Sequence, residues 1–342
     1  MAVRVGINGF GRIGRSFTRA LLDRGADAGI ELVAVNEPMG DSQTVAFLLK
    51  HDSVGGTLRN DIRGTEHGIA IDGREITKLE VMDPAEIPWS DHDVDVVIES
   101  TGLFTAREKA AAHLGGSVGR VIISAPSGDA DATICMGVND DVFDAAKHTV
   151  ISNASCTTNC LAPLAKVLND SFGLVQGLMT TVHAYTSDQS LQDLAKATRS
   201  GKPDLRRMRA AALSIIPSST GAAKAIGLVL PELAGKLNGT SLRVPVPTGS
   251  ITDLSANLGR EVTVDEVNSA FEAASNDKSY RGVLEYSDEP LVSADIVGNP
   301  SSCIFSAEDT MTDGKMVKVL GWYDNEWGYS NRLIDLVAFV GE

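Results

Sequence analysis

A glycine-rich segment between a strand pattern and a helix pattern constrains the fold of this chain more than any other feature. The apolar run Val3 to Asn8 predicts a short buried strand, and Gly9-Phe-Gly-Arg-Ile-Gly14 follows it directly. Next comes the helical spacing Phe17, Ala20, Leu21 and Leu22. A second apolar run, Leu32 to Asn36, ends at Glu37, roughly 20 residues beyond the last glycine, as a dinucleotide-binding unit requires. This order predicts a βαβ nucleotide-binding unit.

Each of the three glycines has a physical task in such a unit. Gly9 makes a tight turn, Gly11 lets the backbone approach a pyrophosphate, and Gly14 lets the helix pack on the strand. The helix N-terminus then faces the phosphates. A lone G-x-G-x-x-G can also be an ordinary turn, but the flanking strand, helix and acid favour nucleotide binding.

A cysteine at the start of a predicted helix is the second informative feature. Ser155-Cys-Thr-Thr-Asn-Cys160 lies between the apolar run Thr149 to Ser152 and a stretch with helical spacing. A helix N-terminus favours an anion, so we expect the pKa of Cys156 to be lowered from its reference of roughly 8.5. Cys156 is therefore a candidate nucleophile. The alternative is a small buried apolar residue, as most free cysteines are.

Composition is that of an ordinary globular enzyme. The 342 residues suggest two domains, and 43% hydrophobic and 22% charged residues are typical values. Neither a long apolar run nor a signal-peptide core is apparent, so the cytosol is the expected compartment. The net charge of −15 argues against nucleic acid or an anionic membrane as a partner, but not against a phosphorylated substrate. The four cysteines lack zinc-site spacing; we expect no metal and reduced thiols.

The first 155 residues alternate strand and helix signals. Val94 to Glu99 and Arg120 to Ser124 are strand-like, and the helical stretch Ala106 to His113 separates them. Ile69 to Ile76 predicts a hairpin, with Asp72-Gly73 as its turn. Such alternation predicts a parallel sheet that binds ligands at the carboxyl ends of its strands.

The pattern changes after Cys156. Long strand signals and the helix Val264 to Asn276 predict a mixed or antiparallel sheet covered by helices. Tyr329 to Val340 has the spacing of a helix that must dock on another element. The long strand signals are Leu174 to Val182, Leu242 to Val246, Ile251 to Leu258 and Lys315 to Tyr323.

Nine segments, in one order along the whole chain, together resemble the phosphorylating glyceraldehyde-3-phosphate dehydrogenase family. The run around Cys156 and the tryptophan-rich run near the C-terminus are the most specific of them. The segments are Ile7-Asn-Gly-Phe-Gly-Arg-Ile-Gly14, Glu99-Ser-Thr-Gly102, Met136-Gly-Val-Asn139, Ala154-Ser-Cys-Thr-Thr-Asn-Cys160, His183-Ala-Tyr-Thr-Ser-Asp188, Asp204-Leu-Arg-Arg207, Thr220-Gly-Ala-Ala-Lys224, Leu237-Asn-Gly239 and Trp322-Tyr-Asp-Asn-Glu-Trp-Gly-Tyr329.

The resemblance implies an α/β architecture with two domains. Residues 1–155 are expected to form an N-terminal Rossmann domain that binds NAD and is completed by the C-terminal helix 325–342. Residues 156–324 are expected to form an α+β catalytic domain with a mixed or antiparallel sheet. The family also implies a homotetramer that acts on glyceraldehyde 3-phosphate and inorganic phosphate.

The resemblance implies Cys156 as nucleophile and His183 as general base. A thiolate adds to an aldehyde, and an imidazole can take the thiol and hydroxyl protons in turn, leaving a thioester for phosphate to attack. Without the motif, His183 in its apolar run would be read as a core histidine. Two anion sites are implied: Thr186, Asp188 and Arg243 for the substrate phosphate, and Ser155, Thr157, Thr220, Gly221 and Arg207 for the attacking phosphate. Asp188 is expected to orient an arginine, because a carboxylate repels phosphate.

The implied cofactor is NAD, with NADP possible as a secondary cofactor. The residues expected to contact it are Gly9, Gly11, Arg12, Ile13, Gly14, Glu37, Thr101, Gly102, Ser124, Asn325 and Tyr329.

Three departures from the family pattern concern this cofactor preference. Glu37 stands where the family usually has Asp, and Leu194-Ala195 stands where NAD-specific members usually have Leu-Pro. The segment Lys196 to Pro203 is longer and more basic than usual. A carboxylate at position 37 still favours NAD, because it bonds a ribose diol and repels a 2′-phosphate.

Two other functions remain open at this point. One is a dehydrogenase of another phosphorylated aldose, such as erythrose 4-phosphate, although Ala184-Tyr-Thr186 fits the triose enzyme better. The other is a non-catalytic nucleotide-binding relative, which would have no need of Cys156 and His183 together.

Overall fold

A computed structural model describes residues 2–195 and 203–341. The chain divides into two compact units. The first consists of Met1–Ile134, Asp141–Ala154 and Ser330–Glu342, and the second of Cys135–Asp140 and Ser155–Tyr329. Apart from Pro203, the long basic segment lies outside the described residues.

Short strands, three helices and most of the C-terminal helix make up the first unit within the described ranges. The strands are β1 (Val3–Asn8), β2 (Ile30–Asn36), β3 (His51–Asp52), β4 (Gly56–Thr57), β5 (Ile62–Gly64), β6 (Gly68–Ile71), β7 (Arg74–Leu79), β8 (Val96–Glu99), β9 (Arg120–Ile123), β10 (Ala132–Thr133) and β11 (Val150–Ser152). The helices are α1 (Arg12–Arg24), α2 (Ser42–Lys50) and α3 (Arg107–Ala110).

The main sheet of the first unit has the order β10-β11-β9-β8-β1-β2-β7-β6-β5 among the described strands. The pairs from β10 to β7 are parallel, as predicted. β6 and β7 form the expected hairpin, and Asp72 and Gly73 adopt φ of 50° and 83°, as a type I′ turn requires. The expected helix over 106–113 is a single α-turn, α3, continued by a 3₁₀ turn.

The predicted glycine turn joins β1 to α1. Gly9 has φ of 91°, and a Cβ there would lie 2.7 Å from the Thr101 backbone nitrogen. A Cβ on Gly14 would lie 2.6 Å from the Gly9 carbonyl oxygen, so only glycine allows this close packing of α1 on the turn. The βαβ prediction for this region is therefore confirmed.

A buried polar network lies where β1 and β8 end. Glu99 is 1% exposed and accepts hydrogen bonds from Asn8 Nδ2 (2.6 Å) and the Thr101 N–H (2.8 Å). His113 Nε2 lies 3.1 Å from the same carboxylate, and Trp89 Nε1 donates to His113 Nδ1 at 3.1 Å. Because an indole only donates, Nδ1 must accept, and Nε2 carries the hydrogen that faces Glu99. The tautomer of His113 is therefore fixed.

We expect Glu99→Ala to lower the free energy of unfolding by about 3 kcal/mol, because it leaves the buried donors of Asn8, Thr101 and His113 without an acceptor. Urea denaturation of the NAD-free protein measures this difference. Glu99→Gln is the matched control. It keeps the side-chain shape and one acceptor oxygen, so its free energy of unfolding should fall by less than that of Glu99→Ala. Equal stability of Glu99→Ala and the unmodified protein would contradict the assignment.

The second unit contains longer elements. Its strands are β12 (Leu174–Ala184), β13 (Ile216–Ser219), β14 (Leu237–Val244), β15 (Ser250–Leu258), β16 (Leu284–Ser287), β17 (Cys303–Asp313) and β18 (Met316–Tyr323). Its helices are α4 (Cys156–Phe172), α5 (Ala222–Val229) and α6 (Val264–Ser275). The last helix of the chain is α7 (Trp327–Gly341).

The sheet of the second unit is mixed, as expected, in the order β13-β14-β12-β15-β18-β17-β16 among the described strands. β12–β14 and β16–β17 are parallel pairs, and the other neighbours are antiparallel. α4 packs against this sheet and against α5. The α/β class with a Rossmann-type first unit and a mixed-sheet second unit is thus confirmed.

The predicted C-terminal helix docks within the first unit. Arg24, at the end of α1, donates through Nε to Asn331 Oδ1 at 2.9 Å and forms an ion pair with Asp335 on α7. Among the described helices, none is long and apolar enough to cross a lipid bilayer.

Candidate active site

Cys156 is the first residue of α4, as predicted. Ser155 caps the helix: its Oγ accepts from the Thr158 N–H at 3.0 Å. Ala154, just before the cap, is fully buried and has φ of 55°, a left-handed conformation that costs a non-glycine residue about 1–2 kcal/mol. Such strain is typical of functional turns.

His183 lies beside Cys156, near the C-terminal end of β12. Its Nε2 is 3.5 Å from the Cys156 Sγ, within hydrogen-bonding distance of a sulfur, and the imidazole is 3% exposed. The structure thus brings together the nucleophile and the base that the sequence predicts. A thiol and an imidazole in this contact can exchange a proton directly.

The expected low pKa of the Cys156 thiol is wrong for this structure. Burial raises the pKa of Cys156 to about 11; the charge of Arg243 and hydrogen bonds from Thr157 act in the opposite direction but do not prevail. Burial and then the charge of Arg243 lower the pKa of His183 to about 3. Desolvation penalises the charged form of each group. Both shifts favour the uncharged thiol and the uncharged imidazole at neutral pH, and an uncharged imidazole keeps one nitrogen lone pair.

Arg243 extends the site from the neighbouring strand. β12 and β14 run parallel, and His183 is the register partner of Arg243. Arg243 Nη1 lies 2.8 Å from His183 Nδ1, 3.0 Å from the Ala184 carbonyl oxygen and 3.3 Å from Thr186 Oγ1. Its buried Nε has no hydrogen-bond partner among the described residues. A buried donor in this state is suited to an anionic ligand.

Asp188 connects the two arginines assigned to anion binding. It accepts from the Thr186 hydroxyl and forms an ion pair with Arg207. Burial pushes the pKa of Asp188 upward, but the Thr186 hydrogen bond and the charges of Arg207 and Arg243 hold it below its usual value. Asp188 thus has the geometry expected of a residue that orients an arginine. The network brings Arg207, predicted for the attacking phosphate, together with residues predicted for the substrate phosphate.

Tyr323 is a site residue that sequence reasoning missed. It is 1% exposed, its hydroxyl bonds Thr157 Oγ1 (2.9 Å) and Thr181 Oγ1 (2.8 Å), and its ring lies edge-on to His183 at 5.9 Å. The Thr157 side chain, predicted to bind phosphate, therefore bonds Tyr323 in a buried position. The residue lies inside the tryptophan-rich run, which was the available signal.

Thr220 and Gly221 lie at the N-terminus of α5. Gly221 is the N-cap residue and has no capping side chain; a Cβ there would meet nothing within 4 Å. Thr220 Oγ1 accepts from the Ala222 N–H at 3.2 Å. With Ser155 at the start of α4, the predicted second anion site thus comprises residues at two helix N-termini, where backbone N–H groups favour anions.

The glycine turn of the first unit suits a dinucleotide. α1 has no capping side chain at its N-terminus, and a Cβ on Gly11 would meet nothing within 4 Å, so a pyrophosphate can approach the backbone. Arg12 forms an ion pair with Asp52. The carboxylate of Glu37 is held by the N–H groups of Phe10 and Met39, each at 2.9 Å, beside the same turn.

The other predicted cofactor residues lie in both units. Ile13 is in the first turn of α1, Thr101 and Gly102 follow β8, and the Ser124 N–H donates to the Glu99 carbonyl oxygen at 3.0 Å. In the second unit, Asn325 Oδ1 accepts from Ser250 Oγ at 2.8 Å, and this hydroxyl accepts from the Ala184 N–H at 3.0 Å. Tyr329 is buried in α7.

All four cysteines are described and are free thiols. Across 2–195 and 203–341 no cluster of His, Cys, Asp and Glu has the arrangement to hold a metal ion.

Two family models match this chain. The model "Glyceraldehyde 3-phosphate dehydrogenase, NAD binding domain" matches residues 3–107. The model "Glyceraldehyde 3-phosphate dehydrogenase, C-terminal domain" matches residues 155–325, which include Cys156, His183, Arg207 and Arg243.

Curated relatives match over nearly their full length. The chain is 58% identical to "Glyceraldehyde-3-phosphate dehydrogenase" of Streptomyces coelicolor over 342 residues, covering 100% of this chain and 99% of the relative. It is 56% identical to the Mycobacterium avium protein of the same name over 346 residues, with coverage of 100% and 99%. It is 54% identical to "Glyceraldehyde-3-phosphate dehydrogenase 1" of Bacillus cereus over 338 residues, covering 98% of each. The resemblance noted from the motifs is thereby confirmed, and the chain belongs to the glyceraldehyde-3-phosphate dehydrogenase family.

Proposed function

We propose that this protein is an NAD-dependent dehydrogenase that oxidises and phosphorylates glyceraldehyde 3-phosphate to 1,3-bisphosphoglycerate. The contact of 3.5 Å between Cys156 Sγ and His183 Nε2 is the observation that carries the proposal. A nucleophile and a base in contact can both act on one carbonyl group, which supports the proposal. The membership of the family and the dinucleotide turn of the first unit give the cofactor and the substrate class.

The residues act in two stages. Cys156 Sγ attacks the aldehyde carbon while His183 Nε2 takes the thiol proton, so the sulfur does not need to carry a resting charge. The imidazolium of His183 gives this proton to the carbonyl oxygen, which becomes the hydroxyl of the thiohemiacetal, and the neutral imidazole then takes it back as the hydride leaves the carbon. Bound NAD would supply the acceptor for the hydride. The product is a thioester on Cys156. Inorganic phosphate attacks its carbonyl carbon, an acyl phosphate forms, and the Cys156 sulfur leaves and is reprotonated.

Two sets of residues hold the phosphate groups. Arg243 and Thr186, with Asp188 orienting the arginines, bind the phosphate of the substrate. Ser155, Thr157, Thr220, Gly221 and Arg207 receive the attacking phosphate, Thr157 through its backbone N–H. The backbone N–H of Cys156 is the donor for the carbonyl oxygen as negative charge develops on it.

The cofactor is held by the glycine turn, α1 and Glu37 in the first unit, with Arg12, Ile13, Thr101, Gly102 and Ser124 beside them. Asn325 and Tyr329 are the proposed contacts of the nicotinamide. NADP is a secondary cofactor at most, since the fixed carboxylate of Glu37 repels a 2′-phosphate.

We expect Glu37→Gln to lower the ratio of kcat/KM with NAD to kcat/KM with NADP at least about tenfold, because it removes the repelling charge but keeps the side-chain length. The measurement is kcat/KM with each cofactor. Glu37→Asp, which restores the charge, should keep the preference. An unchanged ratio in Glu37→Gln would assign the discrimination elsewhere, and the segment after Leu194-Ala195 would be the next candidate.

The proposed assembly is a homotetramer. Large apolar side chains are exposed on the second unit, including Leu178 (68%), Met311 (63%), Leu205 (75%), Leu213 (83%) and Ile215 (66%). Apolar surface of this kind is typical of subunit interfaces. Light scattering coupled to size exclusion tests the assembly, and Leu178→Asp should shift it toward smaller species. The free thiols support the cytosol as the proposed location.

A steady-state assay of reduced cofactor tests the whole proposal. We expect turnover with glyceraldehyde 3-phosphate, NAD and inorganic phosphate together, and slow or absent turnover without phosphate. Erythrose 4-phosphate in place of the triose should react more slowly. Faster reaction with erythrose 4-phosphate would make the tetrose the assigned substrate. Absence of turnover with either sugar phosphate would leave nucleotide binding as the assigned function.

A further inference from the structure

The imidazole of His183 has two neighbours with opposite hydrogen-bonding character at one nitrogen. Nδ1 lies 2.7 Å from the Ala184 carbonyl oxygen, which only accepts, and 2.8 Å from Arg243 Nη1, which only donates. A neutral imidazole nitrogen either carries a hydrogen or accepts one. Nδ1 can therefore satisfy one of these neighbours at a time.

The choice decides whether His183 can act as a base. When Nδ1 accepts from Arg243, the imidazole hydrogen is on Nε2 and faces the Cys156 thiol, so Nε2 has no lone pair for the thiol proton. When Nδ1 donates to Ala184, the Nε2 lone pair faces the sulfur and can take that proton. The first tautomer is inactive and the second is competent.

Arg243 has the contacts of a side chain that can leave His183. Its Nη1 is also within 3.3 Å of Thr186 Oγ1, and Thr186 connects through Asp188 to Arg207. The buried Nε of Arg243 has no partner in the described part of the chain. An anion near Thr186 would give this guanidinium stronger acceptors than the neutral Nδ1.

We propose that a tetrahedral oxyanion bound by Arg243 draws it away from Nδ1 of His183 and thereby selects the tautomer that deprotonates Cys156. The inference rests on the proposed function, because the substrate phosphate is the natural anion. A phosphorylated aldehyde would then activate the nucleophile that attacks it. Arg243 is thus a positioning residue for the imidazole as well as a phosphate ligand.

A purely electrostatic role of Arg243 makes the opposite prediction. The positive charge of Arg243 favours the thiolate, so an anion that neutralises it should make Cys156 less reactive. Under the tautomer proposal, the same anion makes Cys156 more reactive. The sign of the change distinguishes the two.

The first experiment uses sulfate as the anion and iodoacetamide as the thiol probe, with the NAD-free full chain at neutral pH. We expect saturating sulfate to accelerate alkylation of Cys156 about three- to tenfold, while Arg207→Gln needs more sulfate to reach the same rate. Slower alkylation, or an unchanged rate, in sulfate would overturn the proposal.

The second experiment observes the tautomer directly by ¹⁵N spectroscopy of protein labelled at histidine nitrogens. His183 should carry its hydrogen on Nε2 without sulfate and on Nδ1 with it. Arg243→Gln should have Nδ1–H without any anion, and an Nε2–H form in this variant would overturn the proposal whether or not sulfate binds. His113 is the internal control, since Trp89 fixes its tautomer.

The two proposals fail separately. A tautomer change in a protein without dehydrogenase activity leaves the role of Arg243 intact and rejects the enzyme assignment. Full dehydrogenase activity with an unchanged tautomer rejects only the role of Arg243.

Discussion

Replacing Cys156 with Ser should lower kcat for glyceraldehyde 3-phosphate at least about 10³-fold, because a hydroxyl beside a neutral imidazole is a far poorer nucleophile than a thiol. The steady-state assay with NAD and inorganic phosphate measures this loss. Affinity for NAD, measured by calorimetry, should stay within about twofold, since the glycine turn and Glu37 are unchanged.

Cys160→Ser is the matched control for this substitution. Cys160 lies one turn further along α4, is fully buried, and donates its thiol hydrogen to the Gly321 carbonyl oxygen at 3.4 Å, a bond that a hydroxyl can keep. We expect most activity to survive in this variant. Turnover retained in Cys156→Ser, or lost equally in both variants, would contradict the nucleophile assignment.

Replacing His183 with Asn should lower kcat about 10²- to 10⁴-fold, the usual contribution of a general base. The same change should slow alkylation of Cys156 at neutral pH in saturating sulfate, the condition in which Nε2 of the unmodified protein carries the lone pair. Without the imidazole, the sulfur must ionise on its own, and burial holds the pKa of Cys156 at about 11. A pKa above the working pH means that the thiolate fraction grows about tenfold for each pH unit up to that value. The alkylation rate of His183→Asn should therefore rise steeply from pH 7 to 10.

The unmodified protein should show a flatter profile over the same range, because Nε2 of His183 takes the proton during attack. His67→Asn is the control, since this histidine is exposed. An identical pH profile of the alkylation rate with and without the His183 imidazole would show that His183 is not the base that deprotonates Cys156.

Local patterns made parts of the first unit predictable. The run Val3–Asn8, the glycine turn and α1 depend on neighbouring residues, so periodicity and glycine positions are sufficient to place them. The Asp72-Gly73 hairpin followed from turn chemistry alone. In the second unit, β13, β16 and β17 were not predicted, because the strands of a mixed sheet are set by pairing with distant segments.

The candidate site was predicted as residues but not as a geometry. Motifs indicated Cys156 and His183, yet the sign of the thiol pKa shift depends on burial, which sequence spacing does not give. The contact of Tyr323 with Thr157 and the left-handed backbone of Ala154 arise from tertiary packing. An alanine in the sequence does not by itself indicate a left-handed backbone conformation.

The pairing of His183 with Arg243 across two parallel strands divides the site into a rigid part and an adjustable part. Backbone hydrogen bonds hold the two Cα atoms at the spacing of adjacent strands, about 4.8 Å, so loop motion cannot separate them. The imidazole is short and fully packed, whereas the guanidinium sits on a long arm with several rotatable bonds. Substitutions of the residues around the Arg243 side chain can therefore change its contact with His183 without moving the two strands that carry the reacting groups.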